Sequence, residues 1–146
     1  PRHTGGPASK PRKTFEGTPE YQSPEQIMAF LVGYGPHVQR QAASFASDVF
    51  ALAVTLNECL TRTVPYTDMQ QTDVQLHTVI ETSYTPRALC VAVSEKGLRP
   101  VPATSSAGGE LAVAGWAQDP QSRPLASQLL KDFDSTVLQP LGMSGH

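Results

Sequence analysis

Three short stretches hold most of the residues in this chain that could do chemistry. They are Gly17-Thr18-Pro19-Glu20-Tyr21-Gln22-Ser23-Pro24-Glu25, Ser47-Asp48-Val49-Phe50-Ala51-Leu52-Ala53-Val54 and Trp116-Ala117-Gln118-Asp119-Pro120-Gln121-Ser122-Arg123-Pro124. The first gathers hydroxyls and carboxylates around two prolines. The second sets one Asp at the head of an apolar run, where the positive end of a helix favours a carboxylate. The third places a single guanidinium before a proline. Outside these stretches the usual chemical groups do not cluster. His3, His37, His77 and His146 show no metal-ligand spacing and no partner acid. Cys59 and Cys90 lack Cys-x-x-Cys spacing and are too few for a disulfide scaffold, so they read as reduced, intracellular thiols.

Taken in order, the three stretches resemble the back half of a protein kinase catalytic domain of the serine/threonine or tyrosine-kinase-like group. The first is similar to the Gly-Thr-x-x-Tyr-x-Ala-Pro-Glu end of the activation segment. Ser23 stands where Ala is usual, Phe50 where Trp is usual, and Ala53 where Gly is usual. The resemblance implies that Glu25 pairs with Arg123, since a carboxylate and a guanidinium can share two directional hydrogen bonds. That pair would tie the first helix to the base of the last. It also implies that Gly17, Thr18 and Tyr21 form the loop that meets the peptide substrate. Thr18 would lie near the acceptor hydroxyl, in a pattern typical of serine/threonine kinases.

Asp48 corresponds to the Asp that accepts hydrogen bonds from the catalytic loop. Thr14 falls where activation-loop phosphorylation occurs, with Thr4 and Ser9 weaker candidates. An added phosphate orders a loop only where cations receive it, and Lys10, Arg12 and Lys13 are the local ones. Kinase chemistry also needs a glycine-rich phosphate loop, a strand lysine, a catalytic-loop Asp with its Asn, and the Asp-Phe-Gly metal ligand. This sequence has none of them, and Asp132-Phe133-Asp134 is not that motif. ATP and magnesium therefore belong to the parent kinase. The isolated chain is expected to be inactive, with no cofactor and no metal site.

The elements that must position these residues are helical. Ser23, Pro24 and Gln26 form a capping box with proline at the first helical position. Ile27, Met28, Phe30 and Leu31 supply the packing face, and Gly33 the stop. Part of the stretch from Gly33 to Ala46 reads as an inserted loop. The next helix is expected from Ser47 to about Arg62, halted by Pro65. Its first turns are apolar on every side, so it should be buried all round, with Leu52 and Leu56 among the least exposed residues.

Thr72-Asp73-Val74-Gln75 is a second capping-box pattern, followed by Leu76, Val79 and Ile80. Residues from Ser83 to Ser106 read mostly as loop, with at most a turn of helix, and Pro102 to Gly109 as a flexible connection. Glu110 to Gln118 reads as a short helix with Trp116 in the core. The last helix has Pro124 near its start, an apolar stripe of Leu125, Leu129, Leu130, Phe133 and Val137, and Pro140 beyond its end. Tyr21 and Tyr66 are expected to pack with their hydroxyls at the surface.

The fold class is mainly α: the C-terminal, large lobe of the kinase fold, about five helices with long loops and the N-terminal lobe absent. Residues 1–14 read as a flexible activation-segment arm, 15–138 as the partial kinase domain and 139–146 as a tail. The arm carries three prolines, two glycines and four Lys or Arg. The chain has 146 residues, enough for one core. With 39% hydrophobic and 16% charged residues, its composition is globular rather than disordered.

A net charge of -2 gives no electrostatic case for nucleic acid or membrane as a partner. The run from Val49 to Val54 is too short to span a bilayer. With no secretory signal pattern, the expected location is cytoplasmic. A start at Pro1 rather than methionine reads as a fragment or processed piece. The resemblance implies a protein substrate accepting phosphate on Ser or Thr. The rival expectations are a pseudokinase or truncated interaction module and, if the motif matches are accidental, an unrelated helical adaptor.

Overall fold

Local cap chemistry sets where most of the described helices begin. The computed structural model describes residues 18–32, 44–67, 84–104 and 106–143. Thr14, Gly17, the basic arm, most of the expected inserted loop and the expected helix after Thr72 lie outside the described residues. Among the described residues there are five α-helices and no strand.

Helix α1 (Pro24–Leu31) starts as the sequence implies. The backbone N–H and the hydroxyl of Ser23 both donate to Gln26 Oε1 at 3.1 Å, and Pro24 takes the first helical position. Ile27 is fully buried, and Ala29 is buried with it. Met28, expected on the packing face, is instead 37% exposed. Ile27, Phe30 and Leu31 share a face at i, i+3 and i+4, whereas the i+1 position turns away.

Helix α2 (Phe45–Thr61) starts earlier than expected. Ser44 and Ser47 cap each other: Ser47 Oγ accepts from Ser44 N–H at 2.9 Å, and Ser44 Oγ accepts from Ser47 N–H at 3.3 Å. Ser47 is thus the third helical residue of the box rather than the cap. The helix ends where Arg62 takes a left-handed conformation, φ 57°, and its N–H donates to Glu58 O at 2.7 Å.

Burial all round does not hold for this helix. Val49, Phe50, Ala53, Val54 and Asn57 face the core, with Phe50, Ala53 and Val54 fully buried. Leu52 is 50% exposed and Leu56 only partly buried. The 100° turn per residue puts Asp48, Leu52 and Leu56 on one stripe at i, i+4 and i+8, away from the Phe50 side.

Helix α3 (Pro86–Glu95) occupies a stretch expected to be mostly loop. Thr85 Oγ1 accepts from Ala88 N–H at 3.3 Å, and Pro86 sits at the first helical position, where its missing N–H costs nothing. Leu89, Cys90 and Val93 supply the buried face. Gly97, at φ +70°, follows the helix end.

Helix α4 (Ala107–Gly115) also begins before its expected start. Ser106 caps it by accepting from Gly109 N–H at 3.0 Å. Gly108 and Gly109, expected in a flexible connection, are buried inside this helix. A Cβ at Gly108 would lie 2.9 Å from Leu60 Cδ1, so α4 lies against the Leu60 side chain of α2 at this point.

Helix α5 (Ala126–Phe133) runs into a π-helical turn, Asp134–Leu138, and a short 3-10 turn, Gln139–Leu141, that contains Pro140. Of the expected stripe only Leu129 is buried. Leu125 is 74% and Leu130 67% exposed.

The core gathers around α2. Its inner face packs on α4, α1 packs on α3, and Trp116 closes the cluster formed by Ile27, Phe50, Val54, Leu89 and Val93. Asn57 stitches an otherwise irregular run to this core. Its amide donates to Val101 O at 2.9 Å and accepts from Ala103 N–H at 2.8 Å. Both amide groups of a buried Asn are thereby satisfied. No helix among the described residues is long and apolar enough to cross a membrane.

Candidate substrate-side site

The turn that precedes α1 is fixed at several points. Residues Pro19–Tyr21 form a single 3-10 turn, in which Tyr21 N–H donates to Thr18 O and Gln22 N–H to Pro19 O, both at 3.2 Å. Thr18 heads the turn and is exposed. Ile27 N–H donates to Ser23 O at 3.0 Å, which joins the turn to the helix. Below it, Tyr21 Oη donates to Glu58 Oε2 of α2 at 2.7 Å. This hydrogen bond to a carboxylate, reinforced by burial and by the negative charge of Glu58, pushes the Tyr21 phenol up to about 12. Its hydroxyl is therefore engaged inside the fold rather than merely presented at the surface.

At the base of α1 the structure brings Glu25 and Arg123 together. Arg123 Nη1 donates to Glu25 Oε1 at 2.7 Å and Nη2 to Glu25 Oε2 at 2.8 Å, a two-pronged ion pair across 98 residues of sequence. The Arg123 side chain is fully buried, and that of Glu25 is 23% exposed. The remaining guanidinium donors are spent on carbonyls: Nε on Ala117 O, Nη1 on Ala46 O, and Nη2 on Gln118 O. Burial alone would raise the Glu25 carboxyl. The hydrogen bonds from Arg123, from the backbone and from Ser23, together with the Arg123 charge, outweigh it and hold the carboxyl below its ordinary range.

Two residues of this junction were given no site role from the sequence, where Phe50 was noted only as a departure from the motif. Phe50, fully buried, has the Arg123 guanidinium carbon 5.1 Å from its ring centroid and that of Arg99 at 4.9 Å. One ring face or edge is thus close to two cations, within the range where ring quadrupole and charge attract. Glu58, the partner of Tyr21, is the other. Its signal was positional, because ten residues beyond Asp48 brings the side chain round to a different side of α2.

Tyr66 departs from expectation. Only 5% of it is exposed, its backbone is left-handed at φ 64°, and its buried hydroxyl has no hydrogen-bond partner. Burial pushes its phenol up. Asp48 lies exposed in the first turn of α2, far from any role the structure alone could assign it. Among the described residues no three His, Cys, Asp or Glu converge as a metal site.

The arrangement, then, is a turn anchored by Tyr21 on α2 and by Glu25 on the buried guanidinium of Arg123. The protein kinase domain family model matches residues 4–133. Two curated relatives are similar. A protein kinase and PP2C-like domain-containing protein of Oryza sativa subsp. japonica is 35% identical over 127 residues, 84% of this chain and 18% of the relative. A protein of the same description from Arabidopsis thaliana is 30% identical over 143 residues, 92% of this chain and 20% of the relative. The chain spans about a fifth of the length of these relatives. With the motif residues held in this geometry and the match running over most of its length, the chain belongs to the protein kinase domain family.

Proposed function

We propose that this chain is the substrate-side part of a kinase domain that transfers the γ-phosphate of ATP to Ser or Thr hydroxyls of protein substrates. The observation that carries the reading is the pairing of a fixed turn with a bare face. Thr18 stands exposed on a turn anchored at Tyr21 and Glu25, while Asp48 and Leu52 on the outer stripe of α2 are exposed and Leu56 is only partly buried. A helix apolar on all sides is normally covered on all sides, so the upstream half of the domain is the natural cover for that stripe.

The described residues do not fit ATP and magnesium. Among the described residues no three His, Cys, Asp or Glu side chains converge to hold the ion. The cleft of ≈ 460 Å³ lined by Glu95, Arg99 and Trp116 has its Arg99 donors already committed to carbonyls and Gln118. Nucleotide and metal would be held by the upstream half, which supplies the phosphoryl group and the charge neutralisation of transfer. What this chain contributes is position. The turn sets where the acceptor peptide lies, and the Thr18 hydroxyl is available beside the acceptor.

The test is to join the chain to its upstream coding sequence and to assay phosphate transfer onto Ser, Thr and Tyr peptides. Transfer to Ser or Thr is expected, with Thr18→Val lowering turnover while leaving the unfolding midpoint in place. Transfer confined to Tyr would overturn the specificity. A folded, nucleotide-bound protein that transfers nothing would make the domain a non-catalytic interaction module.

A further inference from the structure

We infer that Arg99 is a positioning residue for the substrate-side turn, acting at a distance through Phe50, Gln118 and Arg123. This deepens the proposed function and rests on it only for its kinetic consequence.

Arg99 lies in the connection after α3, 74 positions from Glu25 in sequence, and its hydrogen bonds go to residues outside α1. Its guanidinium ties three elements. Nε donates to Trp116 O at 2.8 Å, at the end of α4. Nη1 donates to Val93 O at 3.2 Å and Leu98 O at 2.7 Å. Nη2 donates to Gln118 Oε1 at 2.6 Å. Gln118 in turn donates to Ser94 O at 2.8 Å, so its side chain is locked between α3 and Arg99. The main-chain oxygen of that same Gln118 accepts from Arg123 Nη2. Arg99 and Arg123 therefore hold the two ends of one residue, and both approach the ring of Phe50.

Two like charges this close must be directed apart, and the surroundings show how. Burial first, and the positive charge of Arg123 with it, lower the proton affinity of Arg99, while Tyr66 and Glu25 oppose the shift. Each guanidinium is fixed by a fork of donors rather than by a single contact, which sets its plane as well as its position. Arg123 spends all five N–H groups in this arrangement, two of them on Glu25. If Arg99 is lost, Phe50 loses one cation and Gln118 loses its side-chain anchor. Arg123 then keeps its own acceptors, but one of them, Gln118 O, belongs to a residue whose side chain is no longer held on the Arg99 side. The first group to feel this is Glu25, two residues beyond Ser23 in the cap that sets the turn. Coupling of this kind travels through a packed network with discrete arrangements, and its test is coupling rather than proximity.

The experiment is residue-resolved amide exchange on the 146-residue chain, comparing Arg99→Gln, Arg99→Lys and Gln118→Leu with the parent. Gln118 is exposed, so its variant folds even where an Arg99 variant does not. Arg99→Lys keeps the charge but loses the fork. All three are expected to speed exchange at Tyr21, Gln22 and Ile27 by about fivefold or more, in the usual range for coupled sites. Gln128 and Leu129, whose N–H groups bond to Leu125 O in α5, serve as the reference and should not change.

A uniform acceleration that includes α5 would mean simple destabilisation and would overturn the proposal, as would an unchanged turn in a folded Gln118→Leu. In the joined kinase the same variants should raise the KM for peptide severalfold with the KM for ATP and kcat unchanged. If the joined protein proves inactive, the exchange result still decides the role of Arg99, and only the catalytic reading falls.

Discussion

The two sides of α2 obey different rules although one sequence of helical residues builds both. On the inner side, Phe50, Ala53, Val54 and Asn57 meet α4, Trp116 and two guanidiniums, and among the described residues every buried polar side chain there but Tyr66 is bonded. On the outer side, Leu52 and Leu56 form, with Ala126, Leu129, Leu130 and Phe133, an almost wholly apolar groove of ≈ 210 Å³. Hydrophobic content does not distinguish the sides. What does is whether a neighbour of complementary shape lies opposite, which is a property of the domain and not of the helix. A buried polar junction gives direction to the turn before α1, whereas an open apolar groove gives only the capacity to be covered.

The largest expected effect is at the polar junction. Glu25→Ala strands the fully buried Arg123 charge, which should cost about 3–5 kcal/mol in denaturant unfolding. The double variant with Arg123→Ala should recover part of that loss, and strictly additive losses would show that the two groups do not work as a pair. The same junction sets an acid limit. The Glu25 carboxyl titrates below its unfolded value, so its stabilisation is complete above that value, roughly pH 4.3. It is lost as pH falls through the lower folded value, because the unfolded chain binds the proton first. Glu25→Gln should flatten that acid limb of the stability profile. A limb of unchanged slope would place the proton uptake elsewhere.

Next is the contact between α2 and α4. A Cβ built at Gly115 falls 2.7 Å from Ala53 Cβ, so Gly115→Ala must push the helices apart at a point with no flexible side chain to yield. Overpacking of this kind costs about 1–3 kcal/mol. The usual gain of Ala over Gly inside a helix works the other way. A stabilised variant would therefore mean that the two helices are less tightly apposed than their geometry states.

The outer side should respond weakly. Leu52→Ala in this chain removes a half-exposed side chain and should cost less than about 1 kcal/mol, far below the roughly 2–5 kcal/mol of a buried leucine. Joined to the upstream half of the domain, the same substitution should move into the buried range. An equal, small cost in both contexts would leave the groove uncovered and remove that support for the proposed function.

What the sequence made legible was local. The Ser23-Pro24-Gln26 cap could be read because it needs only three neighbouring residues, and the three motif stretches could be read because their residue order is specific. Helix α3 could not. Its Thr85-Pro86 start looks like a loop until the proline is seen at the one helical position that tolerates it. The exposure of Leu52 was hidden because an apolar run announces burial without saying what would do the burying. Glu58 and Arg99 were hidden for a related reason. Each acquires its role from a partner 37 or 17–19 positions away, Tyr21 for the first, Trp116 and Gln118 for the second. No periodicity of either segment encodes that distance.

The smallest effect sharpens the contrast from within the inner side, where Tyr66 is the one exception to polar satisfaction among the described residues. A buried hydroxyl without a partner forfeits its bonds to water and gains none in return, so deleting it should be neutral or mildly stabilising. Tyr66→Phe keeps the ring in the core cluster and removes only the oxygen. Its unfolding midpoint should stay level or rise, by up to about 1 kcal/mol in stability. The alkaline limb offers a second reading. Burial raises the Tyr66 phenol above its ordinary range, so it stabilises the neutral form and loses that stabilisation as pH climbs past the unfolded value, roughly pH 10. Tyr21, raised by its bond to Glu58, contributes with the same sign between that value and about 12. Tyr66→Phe should flatten part of the alkaline loss and leave the Tyr21 share standing, and Tyr21→Phe should do the reverse while weakening the turn at neutral pH. A Tyr66→Phe protein that is clearly less stable at neutral pH would mean that this hydroxyl is bonded after all, and that the inner side of α2 is satisfied without exception.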